Sequence, residues 1–258
     1  MQVRFEKKKP SKAMLHILEA VVPQILPDDP SMHPWYSNYA QNHKTRLAFD
    51  LEALNHQFPN PEGVKMLELG ALPFILSVGA QKMGYEVVAL DRNPDRFSRV
   101  LKENQLQTVA FDLALGTLPF EDATFDVLVM NEVLEHLNLN LSKLFKELLR
   151  VLRPEGVLML STPNLRSAMG FYNFMFRGIA YSCAKDLFEE YAKEETLGHM
   201  GHVREYTPRE VIGFLKKTGF EVSELRYRGR FSSKILVDRV FPKLKPYFSV
   251  TAHKPASF

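Results

Sequence analysis

The chain has 258 residues, 45% of them apolar and 24% charged, enough for an α/β domain with a large core and added segments. Its net charge of +3 leaves no nucleic-acid footprint, and no apolar run reaches the length of a membrane span. The single cysteine, Cys183, excludes an internal disulfide framework; it fits a reducing cytoplasm and a small buried or half-buried role. The N-terminal stretch MQVRFEKKKPSKAMLHILEAVVPQ lacks the apolar core and cleavage site of a secretory signal, so a cytoplasmic protein is expected. From residue 200 onward there are 12 Lys or Arg against 5 Asp or Glu. That basic quarter is a solvated face, or a surface that favours an anionic substrate or peripheral contact with a membrane.

In chain order, residues 1–60 read as a helical extension broken by Pro23, Pro27, Pro30 and Pro34. A helix is expected over 35–58, with Leu47, Leu51 and Leu54 on one face. From residue 61 the pattern becomes that of an α/β domain running to the end of the chain. Five strands, VKMLEL (64–69), EVVALD (86–91), TVAFD (108–112), FDVLVMN (125–131) and GVLMLST (156–162), are nearly continuous apolar runs, as in parallel strands covered on both faces. Between them, one helix is expected from Pro73 to near Gly84. Another covers about 140–152, where Leu141, Leu144, Phe145, Leu148 and Leu152 form a stripe that Pro154 and Gly156 end.

Residues 163–206 interrupt this rhythm. The aromatic and Met-rich NLRSAMGFYNFMFRGIAYS reads as an inserted helix packed on the domain, or as a substrate lid or lipid-facing helix. With Trp35–Arg46, whose Tyr36, Tyr39, His43 and Arg46 recur at helical spacing, it is expected to close an acceptor pocket. Thr207, Pro208 and Glu210 then form a capping box that opens a helix ended by Gly219. FEVSELRYR (220–228) and YFSVTAHK (247–254) complete seven strands. The expectation is a Rossmann-like, doubly wound, mostly parallel seven-stranded sheet with helices on both faces, an N-terminal helical segment and an insertion after the fifth strand.

In such sheets ligands bind at the carboxyl ends of the strands. Gly70 follows the first strand, and Asp91 ends the second, 21 residues later. A carboxylate there can accept two hydrogen bonds from a ribose diol. A dinucleotide needs G-x-G-x-x-G so that backbone can approach the pyrophosphate, but its second and third glycine positions hold Leu72 and Ile75, and no Walker A sequence is present. The third strand carries Asp112 and the fourth ends in Asn131-Glu132.

Together these motifs resemble class I S-adenosylmethionine-dependent methyltransferases. LELGALPF is similar to the first motif, VVALDRNP to the second strand with its ribose-binding acid, and FDLALGTLPFEDATFDVLVMNEVLEHL to the family's long signature. LLRVLRPEGVLMLSTPN and GHVREYTPREVIGFLKKTGFEV resemble the segments that follow. The resemblance implies S-adenosylmethionine as cofactor, held by Glu68, Gly70, Ala71, Asp91, Arg92, Asp112, Leu113, Asn131 and Glu132, with Asp112 and Leu113 flanking the adenine. Where the family usually has G-x-G-x-G, this chain has Gly70, Leu72 and Phe74. Those two side chains are expected to divert the turn or narrow the cofactor pocket, unless Leu72 packs in the core.

Methyl transfer needs positioning and electrostatics more than covalent chemistry. A hydroxyl acceptor also needs a base, for which Glu135, His136, His199 and His202 are the candidates. His199 and His202 have a metal-like spacing, but with no Cys or carboxylate partner evident, no metal is expected. The implied function is methyl transfer to a small-molecule or lipid-like acceptor. The alternative is a non-catalytic binding module with a degenerate cofactor loop. A nucleic-acid methyltransferase is disfavoured by NEVLEH at the end of the fourth strand and by the modest charge.

Overall fold

β2 (Lys65–Leu69), β3 (Glu86–Asp91) and β4 (Gln107–Ala110) lie side by side as parallel strands, with Leu67 opposite Val88 and Leu90 opposite Val109. They belong to a computed structural model that describes residues 1–6, 9–184, 186–197, 201–229 and 240–256. Two compact units share the strand β5 (Phe125–Asn131): one comprises 7–115 with 124–128, the other 1–6, 116–123 and 129–258.

In the first unit the strand order is β5-β2-β3-β4. The helices are α1 (Lys12–Val21), α2 (His33–Gln57), α3 (Ile75–Met83) and α4 (Ser98–Glu103). Ser11 caps α1 by accepting from the Met14 amide. On α2 the expected face of Leu47, Leu51 and Leu54 is buried. Gly79 in α3 lets α1 and α2 pack closely: a Cβ there would meet Leu51 at 3.1 Å and Leu18 at 3.5 Å. The third strand ends at Ala110, short of Asp112, because Asp112 turns back to accept from the Ala114 amide and opens a 3₁₀ turn over Leu113–Leu115.

In the second unit the order is β1-β7-β8-β6-β5, with β1 (Gln2–Phe5), β6 (Leu152–Pro163), β7 (Glu221–Arg228) and β8 (Tyr247–His253). β8 runs antiparallel to both neighbours. β1 is an eighth strand among the described residues, where the sequence led us to expect helix and seven strands. It pairs parallel with β7, and the Glu6 carboxylate beyond it accepts from buried Arg228 at 3.0 Å and from the Gly229 amide at 2.8 Å.

The unit's helices are α5 (Leu141–Val151), α6 (Ala168–Tyr172), α7 (Leu187–Leu197) and α8 (Pro208–Thr218). α5 ends at Val151, within a residue of the expected end and three residues before Pro154, and β6 starts at once at Leu152 and runs through Pro154. Phe145 of α5 packs edge-to-face on Phe214 of α8 at 5.3 Å, and the expected Thr207–Glu210 capping box is formed in both directions. Between α6 and α7 a π-helical turn spans Asn173–Arg177. Across α6 and this turn Phe171 is 61%, Phe174 63% and Phe176 74% exposed, so this stretch is not the packed helix expected from its composition. Cys183, also expected to be buried or half-buried, is exposed. No helix among the described residues is long and apolar enough to cross a membrane.

Candidate cofactor site and a histidine–carboxylate cluster

The turn after β2 is drawn to the end of β3. Gly70, at φ 67°, and Ala71 both donate their amides to the Leu90 carbonyl, at 2.8 and 3.1 Å. The Leu72 amide donates to Asp91 Oδ2 at 3.1 Å, while Asp91 Oδ1 accepts from the Asn93 amide at 3.1 Å. Asp91 therefore clasps the loop that follows the preceding strand. Each carboxylate oxygen has two acceptor positions, so a vicinal diol can still donate to it.

Asp112 forms an ion pair with Arg92, Nη2 to Oδ2 at 2.7 Å. The Ala114 amide, followed by Arg92, holds its carboxyl below the ordinary range against the opposing effect of burial. Leu113 beside it is buried. Glu68 lies inside, accepting from the buried Ser77 hydroxyl of α3. Burial pushes its carboxyl up to about 8; the Ser77 hydrogen bond opposes this, while the charges of Asp50 and Asp91 add to it.

Phe74 departs from expectation. Its φ of 67° turns the ring inward, where it is fully buried and meets Phe97 edge-to-face at 5.8 Å. Leu72 is half-buried. The bulk at the position of the family's last glycine is spent on the core. Tyr36 joins the same cluster, 6.2 Å from Phe97, and donates its hydroxyl to the Val22 carbonyl. Tyr39 touches Trp35 and His43, and Arg46 donates to the Tyr39 hydroxyl at 3.3 Å, so the expected polar-aromatic stripe on α2 exists, with Tyr36 turned to the core.

In the other unit, Asn131 closes β5. Glu132, at φ 55°, donates its amide to the Ser161 carbonyl and accepts from the Ser161 hydroxyl at 2.7 Å. Three of the four base candidates meet there. Glu135 is 1% exposed and accepts from Thr162 Oγ1 at 2.9 Å. The rings of His136 and His202 stand edge-to-face at 5.0 Å. One ligand-capable atom from each of Glu135, His136 and His202 lies within 4.8 Å of the others. His199 lies outside the described residues. Sequence reasoning missed this grouping because 66 residues separate His136 from His202, and only the return of 201–206 alongside Glu135 joins them: the amides of Val203 and Arg204 both donate to the Glu135 carbonyl.

Parallel strands with a carboxylate at the end of the second and a glycine turn after the first make up a Rossmann-like α/β arrangement. Residues 67–160 match the family model described as a methyltransferase domain. A protein of Mycolicibacterium smegmatis (strain ATCC 700084 / mc(2)155), named "Probable S-adenosylmethionine-dependent methyltransferase", is 34% identical over 110 residues. The alignment covers 43% of this chain and 34% of that relative, so the chain spans about a third of the relative's length. Among solved structures, an S-adenosylmethionine-dependent methyltransferase from Mesorhizobium loti aligns with a TM-score of 0.54 at 18% identity, covering 79% of this chain and 96% of that one. The [4+2]-cyclase SpnF aligns at 0.56 and 16% identity, covering 82% of each. Over residues 67–160 the chain is thus similar to methyltransferase domains, and it shares the Rossmann-like α/β fold of the solved methyltransferases.

Proposed function

We propose that this chain transfers a methyl group from S-adenosylmethionine to a small-molecule or lipid-like acceptor. The observation that carries the cofactor half of this reading is the Asp91 clasp. A carboxylate fixed by the Leu72 and Asn93 amides at the end of β3 is preorganised to receive a ribose diol. Gly70 and Ala71 supply the tight turn beside it, and Leu113 with the Arg92–Asp112 pair supplies an apolar and a polar partner for adenine. The cofactor, when bound, supplies an electrophilic methyl on a sulfonium; the chain's part is to bind and orient. The exposed Phe171, Phe174 and Phe176, close together in the chain, support an acceptor with apolar character, because exposed aromatic side chains favour a lipid-like ligand or headgroup region.

Calorimetry with S-adenosylmethionine, followed by S-adenosylhomocysteine release with water-soluble and with lipid-like acceptors, tests the reading. Cofactor binding together with turnover that is faster on lipid-like acceptors supports it. Tight cofactor binding without turnover on any acceptor class favours a binding module instead.

A further inference from the structure

The Glu135–His136–His202 cluster has features that a pair of packed histidines does not need. His136 donates Nδ1–H to the Gly201 carbonyl at 2.9 Å. A carbonyl can only accept, so the proton sits on Nδ1 and Nε2 is the electron-pair donor. His202 Nδ1 lies 3.0 Å from Glu205 Oε1. Glu205 in turn accepts from the Ser182 and Cys183 amides, at 2.6 and 3.0 Å, and from the Ser182 hydroxyl. A carboxylate oxygen facing Nδ1 is likewise an acceptor for its proton, which leaves Nε2 as the donor atom. Backbone carbonyl to one imidazole and carboxylate to the other is the outer arrangement that orients metal-ligating histidines.

The third group is a carboxylate steadied by Thr162, with Glu135 Oε1 4.0 Å from His136 Nε2. The loop presenting His202 is itself anchored. The Gly201 and His202 amides donate to the Glu190 carbonyl and carboxylate, each at 2.7 Å. The histidines are 27% and 17% exposed, which leaves a path from solvent.

From this geometry we infer that Glu135 with His136 Nε2 and His202 Nε2 forms a binding site for a divalent transition-metal ion of the zinc or manganese class. Metal–ligand bonds of about 2.0–2.2 Å place donors roughly 3–3.5 Å apart, so an ion draws these side chains in by about 1 Å, within the reach of small torsional adjustments. Two imidazoles and one carboxylate suit Zn²⁺, Mn²⁺ or Fe²⁺, whereas Mg²⁺ prefers an all-oxygen set. Three protein ligands leave coordination positions for water or an oxygen-bearing ligand. The site stands apart from the cofactor reading and survives its failure.

Equilibrium dialysis of the full chain against ZnCl2, with metal quantified by mass spectrometry, tests it. The expected result is one Zn²⁺ per wild-type chain, retained by His16→Ala, an exposed histidine elsewhere. His202→Ala and Glu135→Gln should lose the ion, and Glu205→Gln should weaken it about tenfold. MgCl2 in place of ZnCl2 should give no stoichiometric binding. Melting curves check that each variant folds. ZnCl2 should raise the wild-type melting temperature and leave that of His202→Ala unchanged; His136→Gln stands in if a variant fails to fold. No zinc on the wild type, or wild-type zinc on folded His202→Ala, overturns the site.

Discussion

Asp91 Oδ2 accepts from the Leu72 amide at 3.1 Å, so the carboxylate assigned to the cofactor ribose also fastens the loop after β2. The two roles are separable. Asp91→Asn keeps an oxygen for one amide but loses the charge; Asp91→Ala loses both. The alanine variant should weaken S-adenosylmethionine binding by about 1.5–3 kcal/mol, because a charge-assisted acceptor is removed. It should also lower the melting temperature, since the Leu72 and Asn93 amides lose their acceptor. Calorimetry and melting curves on both variants check this. A cofactor dissociation constant unchanged in a folded Asp91→Ala protein would reduce Asp91 to its loop-holding role.

Glu68 predicts a pH dependence whose sign is fixed by its burial. Its folded pKa, about 8, is raised from an ordinary 4.5. The folded state therefore keeps a proton that the unfolded chain has released between these values. The stabilising contribution is full below about 4.5 and is lost as pH rises through about 8, at roughly 1.4 kcal/mol per pH unit within the window. Glu68→Gln imitates the neutral carboxyl and still accepts from Ser77. The variant should match the wild type near pH 4.5 and be the more stable by a few kcal/mol at pH 8. Parallel denaturant titrations at both pH values measure it; identical slopes against pH would show that Glu68 does not titrate in this window.

Phe74 sets two effects against each other. Its left-handed backbone conformation, φ 67°, costs about 1 kcal/mol that glycine would not incur. Its ring is fully buried against Phe97, and removing such a ring costs about 3–5 kcal/mol. Packing wins, so Phe74→Gly should destabilise by about 2–4 kcal/mol even though it restores a family-like glycine. Leu72→Gly, at a half-buried position, should cost about 1 kcal/mol. Urea unfolding of the two variants ranks them; a more stable Phe74→Gly would mean that the ring strains the loop.

The contrast between Phe74 and β5 shows what was legible. β5 was readable to the residue, because a parallel strand covered on both faces must be a continuous apolar run, and FDVLVMN is one. β2, β3, β7 and β8 were readable within a residue for related reasons. β1 was not: QVRF is short and mostly exposed, and its place depends on the backbone edge of β7 and the distant Arg228. Asp91 at the end of β3 could be located from its spacing after Gly70, whereas Asp112 lies beyond the end of β4. The inward turn of Phe74 could not, because it depends on one backbone dihedral and on Phe97, 23 residues away. The meeting of Glu135, His136 and His202 was hidden for a similar reason, since it follows from where the loop after α7 returns.

Gly201 is the residue on which that return depends. A Cβ at this position would stand 2.0 Å from Glu190 Oε2 and 2.8 Å from the Glu190 carbonyl oxygen. Side-chain ends usually yield cheaply, but this carboxylate holds the His202 amide, and the carbonyl holds the Gly201 amide. Neither can retreat without breaking a bond that positions His202. The Gly201 carbonyl also receives His136 Nδ1, so a displaced backbone would disturb both histidines. Gly201→Ala should therefore lower stability by about 1–3 kcal/mol, the usual cost of forcing bulk into a filled site. The loss should be local: residues 186–206 should become the first site of proteolytic cutting while 7–115 keeps its resistance. A shift in the imidazole resonances of His136 and His202, seen by NMR in the same variant, would tie the loss to this loop. A variant with unchanged melting and unchanged imidazole resonances would show that Glu190 yields to the extra methyl and that the loop does not depend on the missing side chain.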